Sequence, residues 1–436
     1  MLVKEETRKL ARAVRIDEIK AIPKADRLEI AVVGGWECIV PKGEYNAGDL
    51  ALYFEIDSAI PLDHELWADF DQSRLRVVEH EGKQFAVIKT LKLRGVRSQG
   101  LVLSLDRLGR IGSTAKADYD YTEHIGVLKY VSPAEAKLYK EASNEPRNMT
   151  ATRKLIWRLR NWLIKDIIVD GLLPWPTHLV KSEEQRVQNV SALHARLVKD
   201  EEPVELSVKL DGESTTFYTA ADSNDVGAAQ RNFALRLEPI PYSFKEQLLV
   251  YLAGWLRYIP RKLAGAEIYV PRWVTQYDPK TVPIVRYFKE RGMSALVLAA
   301  SAVVGKKVSL QGEMVGPNFN GGAEFAPNNE FYCYRVYTNG NEMMAPPEAR
   351  RLCETIGIKY VPLVSSGTPL TGSIKDLLKL ADGPGHFEPK RPREGLVAKS
   401  EVTGESMKII SNAWLEAKDA EAEAAAKAAE GTPVAT

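Results

Sequence analysis

Two strand-like runs of alternating apolar residues meet at a tight turn in the middle of the chain, and that turn carries a lysine. The runs cover residues 204–210 and 213–218, and Lys209-Leu210-Asp211-Gly212 joins them. Alternation with a period of two predicts β-strands. Glycine lets the backbone turn close to a ligand. This pattern commits the middle of the chain to β-sheet and places one amine at a sheet edge.

The lysine of this turn has the setting of a nucleophile. Lysine, any residue, aspartate and glycine form the signature of enzymes that attach a nucleotide covalently to a lysine amine. The attacking amine must be neutral, whereas an unperturbed lysine is only about one-thousandth neutral near pH 7.5. We therefore expect burial and neighbouring cations to lower the pKa of Lys209 by about three units.

Further strand-like segments with a charged or aromatic side chain at the edge follow in series. The side chains that these segments contribute are Glu313, Tyr334, Glu394, Lys399 and Lys408. Lysines near a phosphorus offset developing negative charge, and carboxylates hold Mg²⁺ through water. An aromatic ring gives a purine a stacking face. The series predicts a cleft between sheets that holds a triphosphate and its metal ion.

In this order the segments resemble the covalent nucleotidyltransferase superfamily, and within it the template-dependent, nick-sealing RNA ligases with an amino-terminal OB module. The resemblance extends from residue 1 to about residue 415. It implies that Lys209 is the adenylylated nucleophile and that Tyr334 stacks on adenine. It also implies that Glu313 contacts ribose or a metal-bound water, and that Glu394 and Glu313 bind the metal ion. The cofactors implied are ATP and Mg²⁺ or Mn²⁺.

The same resemblance assigns roles to residues around this centre. Lys399 and Lys408 engage phosphates and complete the catalytic set with Lys209 and Glu394. Arg231 contacts the nucleic-acid end. A second pair, Gln188 and Asn189, lies near the adenosine.

Three positions depart from the pattern of these ligases. Val208 stands where a glutamate often accepts a hydrogen bond from the adenine amino group. Ser214 replaces an arginine, and Ile410 replaces the second of two lysines in the last segment. The departures concern base selectivity and one phosphate contact.

The first 110 residues show short strands separated by turn residues, which predicts a small β-barrel. They look like the OB module of those ligases. The basic residues late in this pattern are Lys89, Lys92, Arg94 and Arg97. A basic strand on an OB barrel is a suitable face for a nucleic-acid backbone, and a solvated strand edge is the alternative.

The predicted fold class is α+β, with an OB-type β-barrel followed by a nucleotidyltransferase domain of antiparallel sheets with flanking helices. The predicted domains are 1–125 for the OB module, 126–180 for a linker or helical connector, 181–415 for the ligase domain and 416–436 for a low-complexity tail. Helical spacing is present in 153–165 and 244–258. A serine cap predicts another helix start at Ser182.

Net charge, cysteine spacing and the lengths of the apolar runs limit which classes of function the chain can have. The formal charge of +1 gives no global basic signal, so nucleic-acid binding must come from local patches. The cysteines Cys38, Cys333 and Cys353 lack the spacing of a metal site. Unpaired thiols suggest a cytoplasmic protein. No apolar run approaches the about twenty residues that span a bilayer, so no membrane contact is expected.

The sequence thus predicts an ATP-dependent polynucleotide ligase acting on nicked RNA or RNA/DNA hybrid duplexes as a monomer. An mRNA-capping guanylyltransferase shares the lysine motif and an OB module, but it usually carries that module after the catalytic domain. A catalytically weak nucleic-acid-binding homologue is the second alternative, because of the departures at Val208, Ser214 and Ile410.

Overall fold

The computed structural model describes residues 2–4, 8–22, 25–67, 75–93, 96–114, 116–131, 151–181, 184–263, 270–418 and 420–421. Two compact units divide the chain. The first comprises Met1–Ala142 with Val187–His194, and the second comprises Ser143–Arg186 with Ala195–Thr436.

The first unit is built from short antiparallel strands. These are β1 (Leu2–Val3), β2 (Ala11–Arg15), β3 (Glu18–Ala21), β4 (Leu28–Val33), β5 (Trp36–Pro41), β6 (Leu50–Phe54), β7 (Ser58–Pro61), β8 (Arg76–His80), β9 (Lys83–Val87), β10 (Leu91–Leu93), β11 (Val96–Ser98), β12 (Leu101–Leu103) and β13 (Leu128–Tyr130). The sheets have the orders β1-β13-β7-β9-β8, β12-β6-β2 and β3-β4-β5, and β10 pairs with β11.

The strands of the first unit extend past residue 125 into the segment predicted to be a linker or helical connector. Helix α1 (Thr122–Ile125) leads into β13, whose residues pair with both β1 and β7. Tyr121 and Ile125 are buried in the same cluster as Leu52 and Phe54. Residues 116–131 are therefore part of the first unit, and Tyr121 and Ile125 belong to its core.

The second unit contains larger sheets and most of the helices. Its strands are β14 (Leu172–Pro174), β15 (Gln185–Arg186), β16 (Pro203–Lys209), β17 (Glu213–Thr219), β18 (Val226–Gln230), β19 (Phe233–Leu235), β20 (Ile240–Pro241), β21 (Gln276–Tyr277), β22 (Val308–Val315), β23 (Glu330–Thr338), β24 (Glu342–Met343), β25 (Lys359–Tyr360), β26 (Leu363–Pro369), β27 (Gly395–Ser400) and β28 (Ser406–Ile410). The helices after α1 are α2 (Ala151–Ile164), α3 (Ser191–Lys199), α4 (Phe244–Leu263), α5 (Pro283–Glu290), α6 (Met293–Val304), α7 (Pro346–Ile356) and α8 (Ile374–Ala381).

Two sheets position the lysine turn. One has the order β14-β19-β18-β17-β22-β23-β24, with β25 on β23, and the other has the order β15-β28-β27-β16-β26. Although β16 and β17 are consecutive in sequence, they lie in different sheets, so they do not form a hairpin. The turn that carries Lys209 thus passes from one sheet to the other. A main core packs α5, α6 and α7 against the larger sheet.

The helical predictions have mixed outcomes. Helices α2 and α4 confirm the spacing in 153–165 and 244–258. The helix start predicted at Ser182 lies outside the described residues, and the described residues that follow it form β15 at 185–186 before α3 begins at Ser191. Within the described residues, no helix has the length and apolar character needed to cross a membrane.

Candidate active site

The lysine turn is fixed by close packing and by bonds to its aspartate. A Cβ atom at Gly212 would lie 2.2 Å from the carbonyl oxygen of Met314, so a larger residue would displace the neighbouring strand. Asp211 accepts a hydrogen bond from the Asn320 amide and lies 3.2 Å from the Lys418 ammonium. These contacts hold the backbone on the carboxyl-terminal side of Lys209.

Lys209 is ion-paired with the carboxylate at the start of β27. Its Nζ donates to Glu394 Oε2 over 2.7 Å. Burial lowers the pKa of Lys209, but the charges of Glu394 and Glu313 outweigh burial and hold it above its ordinary value. The expectation of a lowered lysine pKa is wrong for this arrangement, because carboxylates rather than cations are its dominant neighbours.

Carboxylates exceed cations around this amine. Burial raises the pKa of Glu313 to about 8, and the nearby Glu394 and Asp211 charges add to that rise. Burial also raises the pKa of Glu394, and it raises that of Glu324 to about 6. Mutual repulsion among buried carboxylates is relieved by a cation.

This donor set fits a divalent ion held partly through water. In the part of the chain that the structure describes, no three His, Cys, Asp or Glu side chains converge as direct metal ligands. Carboxylate oxygens are the ligands that Mg²⁺ and Mn²⁺ accept, and Mg²⁺ commonly keeps several waters. Glu394 and Glu313 are the residues that would hold such an ion.

Lys408 supplies a second amine to the same site. Burial and the charges of Lys209 and Arg186 lower the pKa of Lys408 to about 8. Arg186 lies opposite Lys408 in the parallel pairing of β15 with β28. Like charges held together in this way favour an anion between them, which suits a phosphate.

Lys399 lies deeper, in a buried network. Its side chain is 3% exposed, and its Nζ bonds to the Tyr334 carbonyl oxygen and lies 3.4 Å from Glu205 Oε1. Burial lowers the pKa of Lys399, and Glu205 opposes that shift. Its predicted phosphate contact stays a prediction, because the ammonium already has oxygen partners here.

A β-bulge presents the aromatic residue of β23. Gln311 of β22 pairs with Arg335 and Gly312 pairs with Cys333, so Tyr334 has no residue opposite it. A bulge places an extra residue in one strand and redirects its side chains. Cys333 packs in the main core, whereas Tyr334 joins a separate cluster with Val208. The valine that replaces the expected glutamate therefore packs in the cluster that contains the aromatic platform.

Family models match both parts of the chain. The model of an OB-fold domain matches residues 10–105, and the RNA ligase model matches residues 202–410. Among curated proteins, none gives a significant match.

Solved structures of Naegleria gruberi RNA ligase are similar over nearly the whole length. A lysine-to-methionine mutant with AMP and Mn has a TM-score of 0.62 and 26% identity, covering 94% of this chain and 99% of that chain. A lysine-to-alanine mutant with ATP and Mn gives the same values. An apo aspartate-to-alanine mutant also has a TM-score of 0.62 and 26% identity, covering 95% of this chain and 100% of that chain.

Residues 202–410 match the RNA ligase family, and residues 10–105 match an OB-fold domain. The predicted family, the amino-terminal OB module, the α+β fold class and the ligase class of enzyme are confirmed by these matches. Lys209, Glu394 and Lys408 lie within the segment that matches the RNA ligase model, whereas Arg186 and Lys418 lie outside it.

The residues of this ligase predicted to touch nucleic acid are only partly described. Arg231 is exposed in the turn between β18 and β19. Lys89 is ion-paired with Asp57, and its ammonium lies 4.3 Å from the centre of the Tyr130 ring. Arg94 and the side chains of Lys92 and Arg97 lie outside the described residues.

Gln188 and Asn189 are grouped with the first unit of the ligase. The Gln188 carbonyl accepts a bond from Arg12 over 3.3 Å, and the Asn189 amide donates to Glu55 over 3.4 Å. Their predicted place beside the adenosine stays a prediction.

Sequence reasoning missed two residues at the lysine turn. Glu324 accepts a hydrogen bond from the Asp211 backbone amide over 2.5 Å, and Lys418 forms an ion pair with the Asp211 side chain. Glu324 follows the glycine-rich turn at 316–322, which is a signal for close backbone approach. Lys418 lies where low-complexity sequence begins, and nothing in that composition marks it as a site residue.

Proposed function

We propose that this ligase uses ATP to join a 3′-hydroxyl to a 5′-phosphate at a nick, through AMP bound covalently to Lys209. The observation that carries the proposal is the Lys209–Glu394 ion pair of 2.7 Å at a turn between two sheets. An amine held at that point, with Lys408 close enough to influence its charge, has the partners that phosphoryl transfer requires.

The relatives support ATP as the nucleotide. Naegleria RNA ligase has been crystallised with ATP or AMP and with Mn. Its substituted lysine and aspartate are two residues apart, and its substituted glutamate and lysine are fourteen apart. Lys209 and Asp211 have the first spacing, and Glu394 and Lys408 have the second. The similarity thus extends to the residues that form the site.

Proton loss from Lys209 must precede attack. In the ion pair the amine is held protonated, because Glu394 and Glu313 raise its pKa. Glu394 and Glu313 would hold a divalent cation, whose positive charge would weaken their hold on the lysine proton and offset charge on the triphosphate. When the Glu394 contact is broken, Lys209 Nζ gives its proton to water, because burial of the amine then favours its neutral form.

The first reaction exchanges one bond for another. The Lys209 nitrogen forms a bond to the α-phosphorus of ATP, and the bond from that phosphorus to pyrophosphate breaks. Lys408 lies where it can offset negative charge on the phosphorus oxygens. Tyr334 gives adenine a stacking face. Val208, unlike a glutamate, offers no side-chain acceptor to the adenine amino group.

Two transfers complete the cycle. A 5′-phosphate oxygen of the strand takes AMP from Lys209, and the nitrogen–phosphorus bond breaks. The 3′-hydroxyl then attacks that 5′-phosphorus, and AMP leaves. The proposed partner is a nicked RNA or RNA/DNA hybrid duplex bound by a monomer. A cytoplasmic location stays a prediction that rests on the unpaired cysteines.

Labelled nucleotide tests the first step directly. We expect label from α-labelled ATP to become covalently attached to the wild-type protein. Labelled GTP should not label the wild-type protein, and labelled ATP should not label the Lys209→Ala variant. The variant should still seal a nick whose 5′ end is already adenylylated. Attachment of GTP would indicate a guanylyltransferase instead. Attachment of ATP to the Lys209→Ala variant would overturn the assignment of the nucleophile.

A further inference from the structure

A cavity outside the Lys209 site lies within the second unit. Its volume is about 530 Å³, and it is bounded by α2, α4 and the segment 271–281, which contains β21. On α4 the lining residues Val250, Ala253, Gly254 and Arg257 recur at helical spacing, so one face of that helix forms a wall. The cavity shares no lining residue with the Lys209 site.

Positive charge is in excess around this cavity. Its charged lining residues are Arg160, Arg257, Arg272 and Asp278, which are three cations and one anion. Burial and the charge of Arg257 lower the pKa of Arg160 and the charge of Asp170 raises it, so the repulsion between the two guanidinium groups is offset only in part by that carboxylate. An anion between them removes that repulsion, and the planar guanidinium group matches phosphate geometry.

The rest of the wall is aromatic and apolar. Tyr242, Tyr258 and Tyr277 line the cavity, and the remaining lining includes Ile164 and Val274. Aromatic faces stack on nucleobases with little preference for the base. A volume of about 530 Å³ lies within the range of about 300 to 1,000 Å³ that small-molecule sites occupy.

We propose that this cavity is a second nucleotide site, which binds a nucleoside phosphate with its phosphate between Arg160 and Arg257 and its base against the tyrosines. An inorganic anion alone would leave the apolar wall uncovered, and an apolar ligand would leave the arginines uncompensated. The nucleoside phosphate is either a free nucleotide or the phosphorylated end of an RNA strand. The proposal does not require that Lys209 carries AMP.

Titration of the full-length protein with UMP tests the site, because a pyrimidine nucleotide is a poor match for the proposed adenine site. We expect Arg257→Ala to weaken UMP binding by about 10- to 100-fold, through loss of a charge-assisted contact. Arg257→Lys should retain part of the affinity. Arg351→Ala removes an exposed arginine elsewhere in the second unit and is the matched control, with binding unchanged. Tyr334→Ala should also leave UMP binding unchanged.

Further ligands separate the sources of the phosphate. Tight binding of UMP, sensitive to Arg257→Ala, supports a free nucleotide. If only a 5′-phosphorylated RNA trinucleotide binds with that sensitivity, the ligand is a strand end. The proposal is overturned if neither binds, if Arg257→Ala has no effect, or if inorganic phosphate binds as tightly as UMP. Melting curves of the variants establish that they are folded, as expected because the Arg257 side chain is exposed.

Discussion

Replacing Glu394 by glutamine should lower the pKa of Lys209. The two charges face each other with an N···O distance of 2.7 Å, and the side chains are 26% and 12% exposed. Unit charges about 4 Å apart interact by about 1 kcal/mol in water and about 4 kcal/mol at an effective dielectric constant of about 20. One pKa unit corresponds to about 1.4 kcal/mol, so Glu394→Gln should lower the pKa of Lys209 by about one to three units.

Competitive acylation measures this pKa without relying on ligase activity. The metal-free protein is treated with an acylating reagent across a pH series, and modification of Lys209 is quantified by mass spectrometry, because only the neutral amine reacts. Glu184→Gln is the matched control, since Glu184 contributes the smallest of the carboxylate effects on Lys209. It should shift the pKa less than Glu394→Gln does. An unchanged or higher pKa in Glu394→Gln would refute the electrostatic account of the site.

Other variants test the remaining groups. Burial raises the pKa of Glu313 to about 8, so the folded protein keeps a proton that the unfolded chain releases, and Glu313 makes stability fall as pH rises from about 4.5 to about 8. Glu313→Gln should therefore raise the free energy of unfolding of the metal-free protein at pH 9 by at most about 5 kcal/mol and leave it unchanged at pH 4. Thermal melting at the two pH values measures this, and equal effects at both would contradict it. Tyr334→Ala should weaken ATP binding by about 1 to 3 kcal/mol of stacking energy. Tyr334→Phe should have little effect, and equal losses in the two would implicate the hydroxyl group. If Lys89 contacts a phosphate, Lys89→Gln should reduce the salt dependence of nick binding by about one unit of slope, whereas the exposed Lys42→Gln should not; identical slopes would remove Lys89 from the interface.

Residue order and alternation predicted a cleft between sheets, and the resemblance to nick-sealing RNA ligases assigned roles to its residues. Strand ends place charged side chains at sheet edges, so Lys209, Glu313 and Glu394 could be assigned to one cleft from their positions in strand-like runs. Their charge state could not be assigned in the same way. The pKa of Lys209 depends on which neighbours come closest after folding, and those neighbours lie about 100 and 185 residues away.

Local composition was less informative where distant segments meet. The β13 strand is short and follows an irregular stretch, yet pairing with β1 and β7 completes its hydrogen bonds. Lys418 lies in a short helical segment where low-complexity sequence begins, and its ion pair with Asp211 identifies a role. Such contacts form between segments that are distant in sequence, and the periodicity of apolar residues does not predict them.

The bulge in β23 has a consequence for how this strand can change. With plain alternation, an added residue would exchange the two faces of every position beyond it. Here Phe331, Cys333 and Val336 all pack in the main core, so the extra residue is absorbed between Cys333 and Val336. Removing Tyr334 would leave the core positions in frame. The platform for the base is thus a separable addition to the strand, which evolution or a designer can alter, insert or delete without rewriting the core sequence beneath it.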